Sequence, residues 1–267
     1  MPSRESAKAD FVPLLPRFQS PFHGGGVVTG FASVVFDCDS TLAVIEGIDE
    51  LARGPAAAEI AALTDAAMRG EVALEEVYGR RLAVIRPTRA RVEALGDEYV
   101  AALVPDAREV VAALRWLGKT VRVVSGGLRP PVEAVARALG VPPEDVAAVD
   151  ITFGEDGAYA DFERASPLAR SGGKLELLRG WNLPRPALMV GDGVTDLEAR
   201  PAVDAFAAFM GVADRPTVAA AADRVLRGAS LAPVLALAAD EADAARLRAS
   251  PWAEVYDRGR RALEDAK

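Results

Sequence analysis

A chain of 267 residues that is 51% hydrophobic can bury a substantial core, as one large domain or as a core carrying a smaller insert. Its net charge of −8, with 31 Lys and Arg scattered among 39 Asp and Glu, excludes a protein built to neutralise a nucleic-acid backbone; a small anion held by local cations or a metal remains compatible. Cys38 is the one cysteine, so no intrachain disulfide or cysteine-based zinc cluster forms, and a cytoplasmic location is expected.

In chain order, residues 1–30 show no sustained period, with Pro13, Pro16, Pro21 and Gly24-Gly25-Gly26, and read as an arm. The sole histidine, His23, falls in it, which argues against a Ser-His-Asp triad. No apolar signal-peptide core is visible at the N-terminus. The apolar run from Val34 ends at Asp37-Cys38-Asp39-Ser40 and predicts a buried strand that stops in a polar turn. Residues 45–104 are nearly all helix-compatible, with breaks at Gly54-Pro55, Gly70 and Pro87, and predict a helical insertion.

Helical spacing of Val110, Val111, Leu114 and Leu117 follows over 107–117, then a strand over 121–124, the Ser125-Gly126-Gly127 turn and a helix over 130–139. Alternation around Asp156-Gly157 predicts a β-hairpin over 151–162. Further strands are expected at 187–190, before Gly191-Asp192-Gly193, and at 205–210. The longest apolar stretches, such as 231–239 with Pro233 inside, fall short of the ~20 residues of a membrane helix. The last 33 residues read as helix without assignable chemistry.

Strand and helix in alternation predict a parallel sheet covered by helices, whose strand ends at the three polar turns converge on a ligand. Asp37 and Asp39 admit two readings, as turn and capping residues or as a carboxylate nucleophile beside a carboxyl acid and base. Cys38 as a thiolate nucleophile lacks the Arg a cysteine phosphatase loop needs six residues on, since Val44 stands there. Asp192, between two glycines at a strand end, suits a Mg²⁺ ligand, whereas Asp196 also suits a helix start. The Ser125-Gly126-Gly127 turn, read as opening a helix, offers a hydroxyl and backbone N–H groups to a phosphate, and Lys174 after Gly172-Gly173 offers a cation.

These turns, Asp37-Cys38-Asp39-Ser40-Thr41, Ser125-Gly126-Gly127, Lys174 and Gly191-Asp192-Gly193-Val194-Thr195-Asp196, resemble the four motifs of the haloacid-dehalogenase superfamily of aspartate-nucleophile phosphatases. Over roughly 34–226, stretches such as EGIDELA (Glu46 to Ala52), AAMRGEV (Ala66 to Val72) and RRLAVIRPTR (Arg80 to Arg89) resemble the phosphoserine phosphatase family within it.

The resemblance implies an α/β fold, a Rossmann-like parallel sheet core over 31–44 and 105–234 with a small helical cap over 45–104, leaving 1–30 as the arm and 235–267 as a C-terminal helical extension. It implies a Mg²⁺-dependent phosphatase with Asp37 as nucleophile and Asp39 as acid and then base. Asp37, Asp192 and the main-chain carbonyl of Asp39 would hold the metal, with Asp196 behind them. Ser125, Gly126 and Lys174 would hold the phosphate, and Gly127 and Thr195 are also among the implied substrate-binding residues. Glu46 and Arg81 match the family positions that take the ammonium and carboxylate of O-phospho-L-serine, with Met68 lining the cap side. The chain departs from the family at Val149-Asp150 and Leu74. Another small phosphomonoester, or phosphoryl transfer to an alcohol, stands as the alternative reaction, a catalytically idle phosphoamino-acid binder is the alternative of another class, argued against by the intact Asp37 and Asp39, and a homodimer is an open possibility.

Overall fold

The computed structural model describes residues 30–52 and 56–265; the rest of the N-terminal arm, with His23 and Gly24-Gly25-Gly26, and the Gly54-Pro55 break lie outside the described residues. The core is a six-stranded parallel sheet in the order β3-β2-β1-β6-β7-β8. Its strands are β1 (Ser33–Phe36), β2 (Thr120–Leu128), β3 (Val146–Val149), β6 (Ala187–Gly191), β7 (Ala205–Phe209) and β8 (Arg224–Leu226), while β4 (Ile151–Phe153) and β5 (Tyr159–Phe162) pair antiparallel as the expected hairpin. Every residue of β1, β6 and β7 is buried, as an unbroken apolar run in a sheet covered on both faces requires.

Strand order reverses between β1 and β6, whose register pairs Val34 with Leu188 and Phe36 with Val190. In an open sheet this switch point leaves a crevice at the carboxyl ends of the two strands. Asp37 and Asp192 are the residues that leave β1 and β6 there, and the Asp37 N–H continues the ladder to the Val190 carbonyl at 2.9 Å.

Between β1 and the core helix α5 (Ala107–Trp116) the chain builds four helices: α1 (Gly47–Leu51), α2 (Ala56–Met68), α3 (Leu74–Ile85) and α4 (Arg89–Ala101). The two connections to the core pair with each other, Ala43 bridging Leu103 antiparallel, with N–H to O distances of 2.9 Å from Val44 to Ala102 and from Val104 to Leu42. Helix α4 buries Val92, Leu95, Gly96 and Tyr99 and packs on α6 (Arg129–Ala138), with Gly96 set against Ala134. The hairpin packs under α3 through Tyr78 and Phe162, whose ring centroids are 5.0 Å apart.

One departure from the sequence expectation concerns the site. Ser125-Gly126-Gly127 does not open a helix: β2 runs through it to Leu128, with a shift in register against β3, and α6 starts only at Arg129. Strands β3 and β8 are additional to those expected. Helices α7 (Gly173–Gly180), α8 (Val194–Glu198) and α9 (Pro216–Ala221) follow the polar turns, and α10 (Ala232–Ala238), α11 (Glu241–Arg248) and α12 (Ala253–Asp265) close the chain. Helix α10 straddles position 235, with Val234 and Leu235 fully buried. Among the described residues no helix is long and apolar enough to cross a membrane.

Candidate active site

The turn after β1 closes on one carbonyl: Cys38 O accepts from the N–H groups of Leu42 at 2.8 Å and Ala43 at 3.0 Å. The Cys38 side chain is sunk in the core, while Asp37 and Asp39 both face the crevice. Burial pushes the Cys38 thiol well above its ordinary pKa, which removes it as a nucleophile.

Lys174, on the first turn of α7, is 4% exposed. Its Nζ lies 2.6 Å from Asp37 Oδ1 and 2.5 Å from Asp196 Oδ1. Burial alone would depress the ammonium's pKa; Asp196 and Asp37 outweigh it and hold Lys174 above its usual value, hence charged. The loop before it is tied at both sides, Ser171 N–H donating to Glu75 of α3 at 3.0 Å and Gly172 N–H to Glu198 of α8 at 2.6 Å. Asp196 spends its second oxygen on the Gly193 N–H at 3.0 Å, so its helix-start role and its charge role coexist.

Asp37, Asp192 and Asp196 each place a carboxylate oxygen within 4.8 Å of the others, all three buried. An all-oxygen donor set of this kind fits a hard divalent cation. Asp196 is the least free to turn toward one, because Lys174 and Gly193 hold both its oxygens. Asp192 accepts from Thr41 Oγ1 at 3.3 Å and from Arg215 Nε at 2.7 Å. Desolvation pushes Asp37 well above the carboxylate range, and desolvation with the Glu46 charge pushes Asp192 up to about 7. Concentrated buried negative charge is what a bound cation relieves.

The crevice ends in a cavity of about 40 Å³, lined from the core by Asp37, Asp39, Ser125, Gly126, Lys174, Asp192 and Thr195 and from the insertion side by Glu46, Met68, Leu74 and Arg81 among others. Thus the structure brings together every sequence-predicted site residue except two. Gly127 stands behind the lining, its N–H donating to Ser125 Oγ at 2.9 Å, and Asp196 stands behind Lys174.

At the insertion side, Glu46 accepts from Ser40 Oγ at 2.7 Å, and desolvation and the nearby Asp39 raise its pKa to about 7. Arg81, 3% exposed, donates through Nη1 to Thr64 Oγ1 at 2.5 Å, and its buried Nε has no hydrogen-bond partner. A buried guanidinium with an unspent donor, facing a cavity, is poised for a planar anion. The departure at Asp150 is structural: it pairs with Arg129 Nε at 2.5 Å, fastening the hairpin to the start of α6.

Residues that the sequence reading missed complete the picture. Arg215, 3% exposed, reaches Asp192 at 2.7 Å, Asp65 of α2 at 2.8 Å and Glu46 at 3.4 Å. It leaves the turn after β7, so the strand-end rule applied to the other three turns would have found it. Tyr99 donates to Asp39 Oδ1 from inside α4, where no motif marks it.

Residues 31–204 match the model of the haloacid dehalogenase-like hydrolases. The chloroplastic phosphoserine phosphatase of Arabidopsis thaliana is 40% identical over 197 residues, 72% of this chain and 67% of that one. The Bos taurus phosphoserine phosphatase is 40% identical over 183 residues, 67% of this chain and 81% of that one. A solved phospho-aspartyl intermediate analogue of phosphoserine phosphatase superposes with a TM-score of 0.67 at 25% identity, covering 78% of this chain and 98% of that one. With the carboxylate pair at the switch point and the buried lysine beside it, these likenesses show that the chain belongs to the haloacid dehalogenase-like hydrolases, in the branch of the phosphoserine phosphatases.

Proposed function

We propose that the chain hydrolyses O-phospho-L-serine to L-serine and phosphate through an aspartyl-phosphate on Asp37. The observation that carries the choice of substrate is that Glu46 and Arg81, one anion and one cation, line the same cavity as Asp37 and Lys174. Phosphoserine needs both beyond the phosphate machinery, and Arg81 keeps its buried Nε unspent for a carboxylate.

In this reading Asp37 attacks phosphorus and Asp39 first protonates the departing serine oxygen, then takes a proton from the attacking water. Lys174, with Ser125 and the Gly126 backbone, holds the phosphoryl oxygens and offsets the charge that gathers as nucleophile and phosphate meet. Asp37, Asp192 and the main-chain carbonyl of Asp39 would hold Mg²⁺, which supplies further neutralisation of phosphate charge when bound. The helices over 45–104 act as a cap that excludes bulk water. Since the cavity holds about 40 Å³, the cap opens to admit the substrate. The lone buried thiol supports a cytoplasmic setting.

Phosphate release from phosphoserine, measured with and without Mg²⁺, tests the reading. Release is expected to require the metal and to vanish in Asp37→Asn; metal-independent release, or an undiminished Asp37→Asn, would overturn it. Equal turnover on phosphates lacking the amino or carboxylate group would overturn the choice of substrate alone.

A further inference from the structure

The two oxygens of Asp39 stand in different surroundings. Oδ1 accepts the phenolic hydrogen bond of Tyr99, and among the described residues no other side chain hydrogen-bonds to this carboxylate. Oδ2 lies beside Gly127, where an added Cβ would stand 3.1 Å from it.

Tyr99 is fully buried. Its helix, α4, is seated on core helix α6 where Gly96 meets Ala134, and its C-terminal end runs directly into the paired connections at Ala43 and Leu103. The hydroxyl is therefore mounted on the end of the insertion that is fixed to the core. Its path to Asp39 passes over Gly47, where an added Cβ would stand 2.1 Å from the hydroxyl oxygen. The bare backbone at Gly47 is what lets the phenol through.

A neutral phenol gives its one hydrogen to a lone pair, and the carbonyl-like oxygen of a protonated carboxyl is the better acceptor, so the phenol favours the acid proton on the other oxygen. We propose that Tyr99 is the positioning residue for Asp39, holding Oδ1 so that the carboxyl is fixed in the cavity and Oδ2, beside Gly127, is the oxygen left free to exchange a proton with the reacting groups. The proposal rests on the reading of Asp39 as acid and base given above.

Phosphoryl transfer then balances through that one oxygen. First, an oxygen of Asp37 bonds to phosphorus, the bond from phosphorus to the serine oxygen breaks, and the leaving oxygen takes its proton from Asp39 Oδ2. Next, water bonds to the phosphorus of the aspartyl-phosphate, gives a proton to Asp39 Oδ2, and the bond to the Asp37 oxygen breaks. Phosphate leaves, and both carboxylates return to their starting state.

The test is steady-state phosphate release from phosphoserine in the presence of Mg²⁺. Tyr99→Phe keeps the ring and removes the hydrogen bond; kcat is expected to fall about 10- to 100-fold, with KM within about twofold of the parent. Asp39→Asn is expected to fall further, and the double variant with Tyr99→Phe to lose nothing more, because Tyr99 acts through Asp39. Unchanged kcat in Tyr99→Phe, or losses that multiply in the double variant, would overturn the role. If Tyr99→Phe does not fold, Gly47→Ala displaces the hydroxyl while keeping the tyrosine and is expected to lower kcat likewise; full kcat there would overturn the role too. A parent chain that releases no phosphate would overturn the phosphatase reading itself, whereas an active parent with an unaffected Tyr99→Phe overturns only the role of Tyr99.

Discussion

Lys174 is the residue on which the core half of the site balances, since its single charge sits between Asp37 and Asp196 where water scarcely reaches. Lys174→Met removes the cation and leaves two buried carboxylates facing each other. Unfolding in denaturant is expected to show a loss of about 3–5 kcal/mol, and phosphate release a loss beyond about 10²-fold. Lys174→Arg is expected to rescue neither, because a forked planar cation does not replace a point charge between two oxygens. At the opposite wall, Arg81→Lys is expected to raise KM for phosphoserine about tenfold or more while leaving phosphates without a carboxylate unchanged. Equal effects on both substrates would show that Arg81 serves the cap's packing. The residues legible in the sequence were those carried on strand ends, such as Asp37 and Asp192. Tyr99 was not, because it continues the apolar stripe of Val92 and Leu95 at helical spacing and so reads as core.

At the scale of elements, the placement of Lys174 depends on how closely α7 approaches the short helical turn at Pro167–Ala169. A Cβ on Gly173 would stand 1.6 Å from the Pro167 carbonyl oxygen. Gly173→Ala is thus expected to push the first turn of α7 away, with a cost of about 1–3 kcal/mol in thermal or chemical unfolding. The displacement carries the Lys174 ammonium with it, so kcat is expected to fall about 10²-fold even though no charge has changed. A fully active Gly173→Ala would mean that the Glu75 and Glu198 ties on the preceding loop fix Lys174 without that contact. Periodicity alone disclosed β1, β6, β7 and the hairpin because their runs are apolar or alternate around a turn dipeptide. It could not disclose β8, three residues long with an Arg at its head, nor the passage of β2 through Ser125-Gly126-Gly127, since a glycine pair reads locally as a turn. Pairing with β7 draws β8 into the sheet, and pairing with β3 on either side of the glycines, at Val124 and Leu128, carries β2 across them.

For the molecule as a whole, the crowding of acids at one sheet edge sets how stability responds to pH and to metal. Desolvation raises Asp37 well above the ordinary carboxylate value and Asp39 to about 6, and Glu46 and Asp192 each stand at about 7. Their unfolded values are near 3.8 for Asp and 4.5 for Glu. Between about pH 4 and pH 7 the folded chain therefore binds more protons than the unfolded one, and the slope of unfolding free energy with pH is negative. Stability contributed by these groups is complete below pH 4 and is lost as pH rises through 7. This opposes the usual behaviour of carboxylates paired in a fold. On the proposed function Mg²⁺ would compete with protons for the same oxygens in the folded state, so its stabilisation is expected to grow over the same window. Melting curves of the metal-free chain are expected to show Tm falling from pH 5 to pH 8, and Mg²⁺ to raise Tm more at pH 8 than at pH 5. A metal-free Tm that stays level or rises over that span would mean that the four acids are ionised and compensated in the fold, with Lys174 and Arg215 sufficient to carry them.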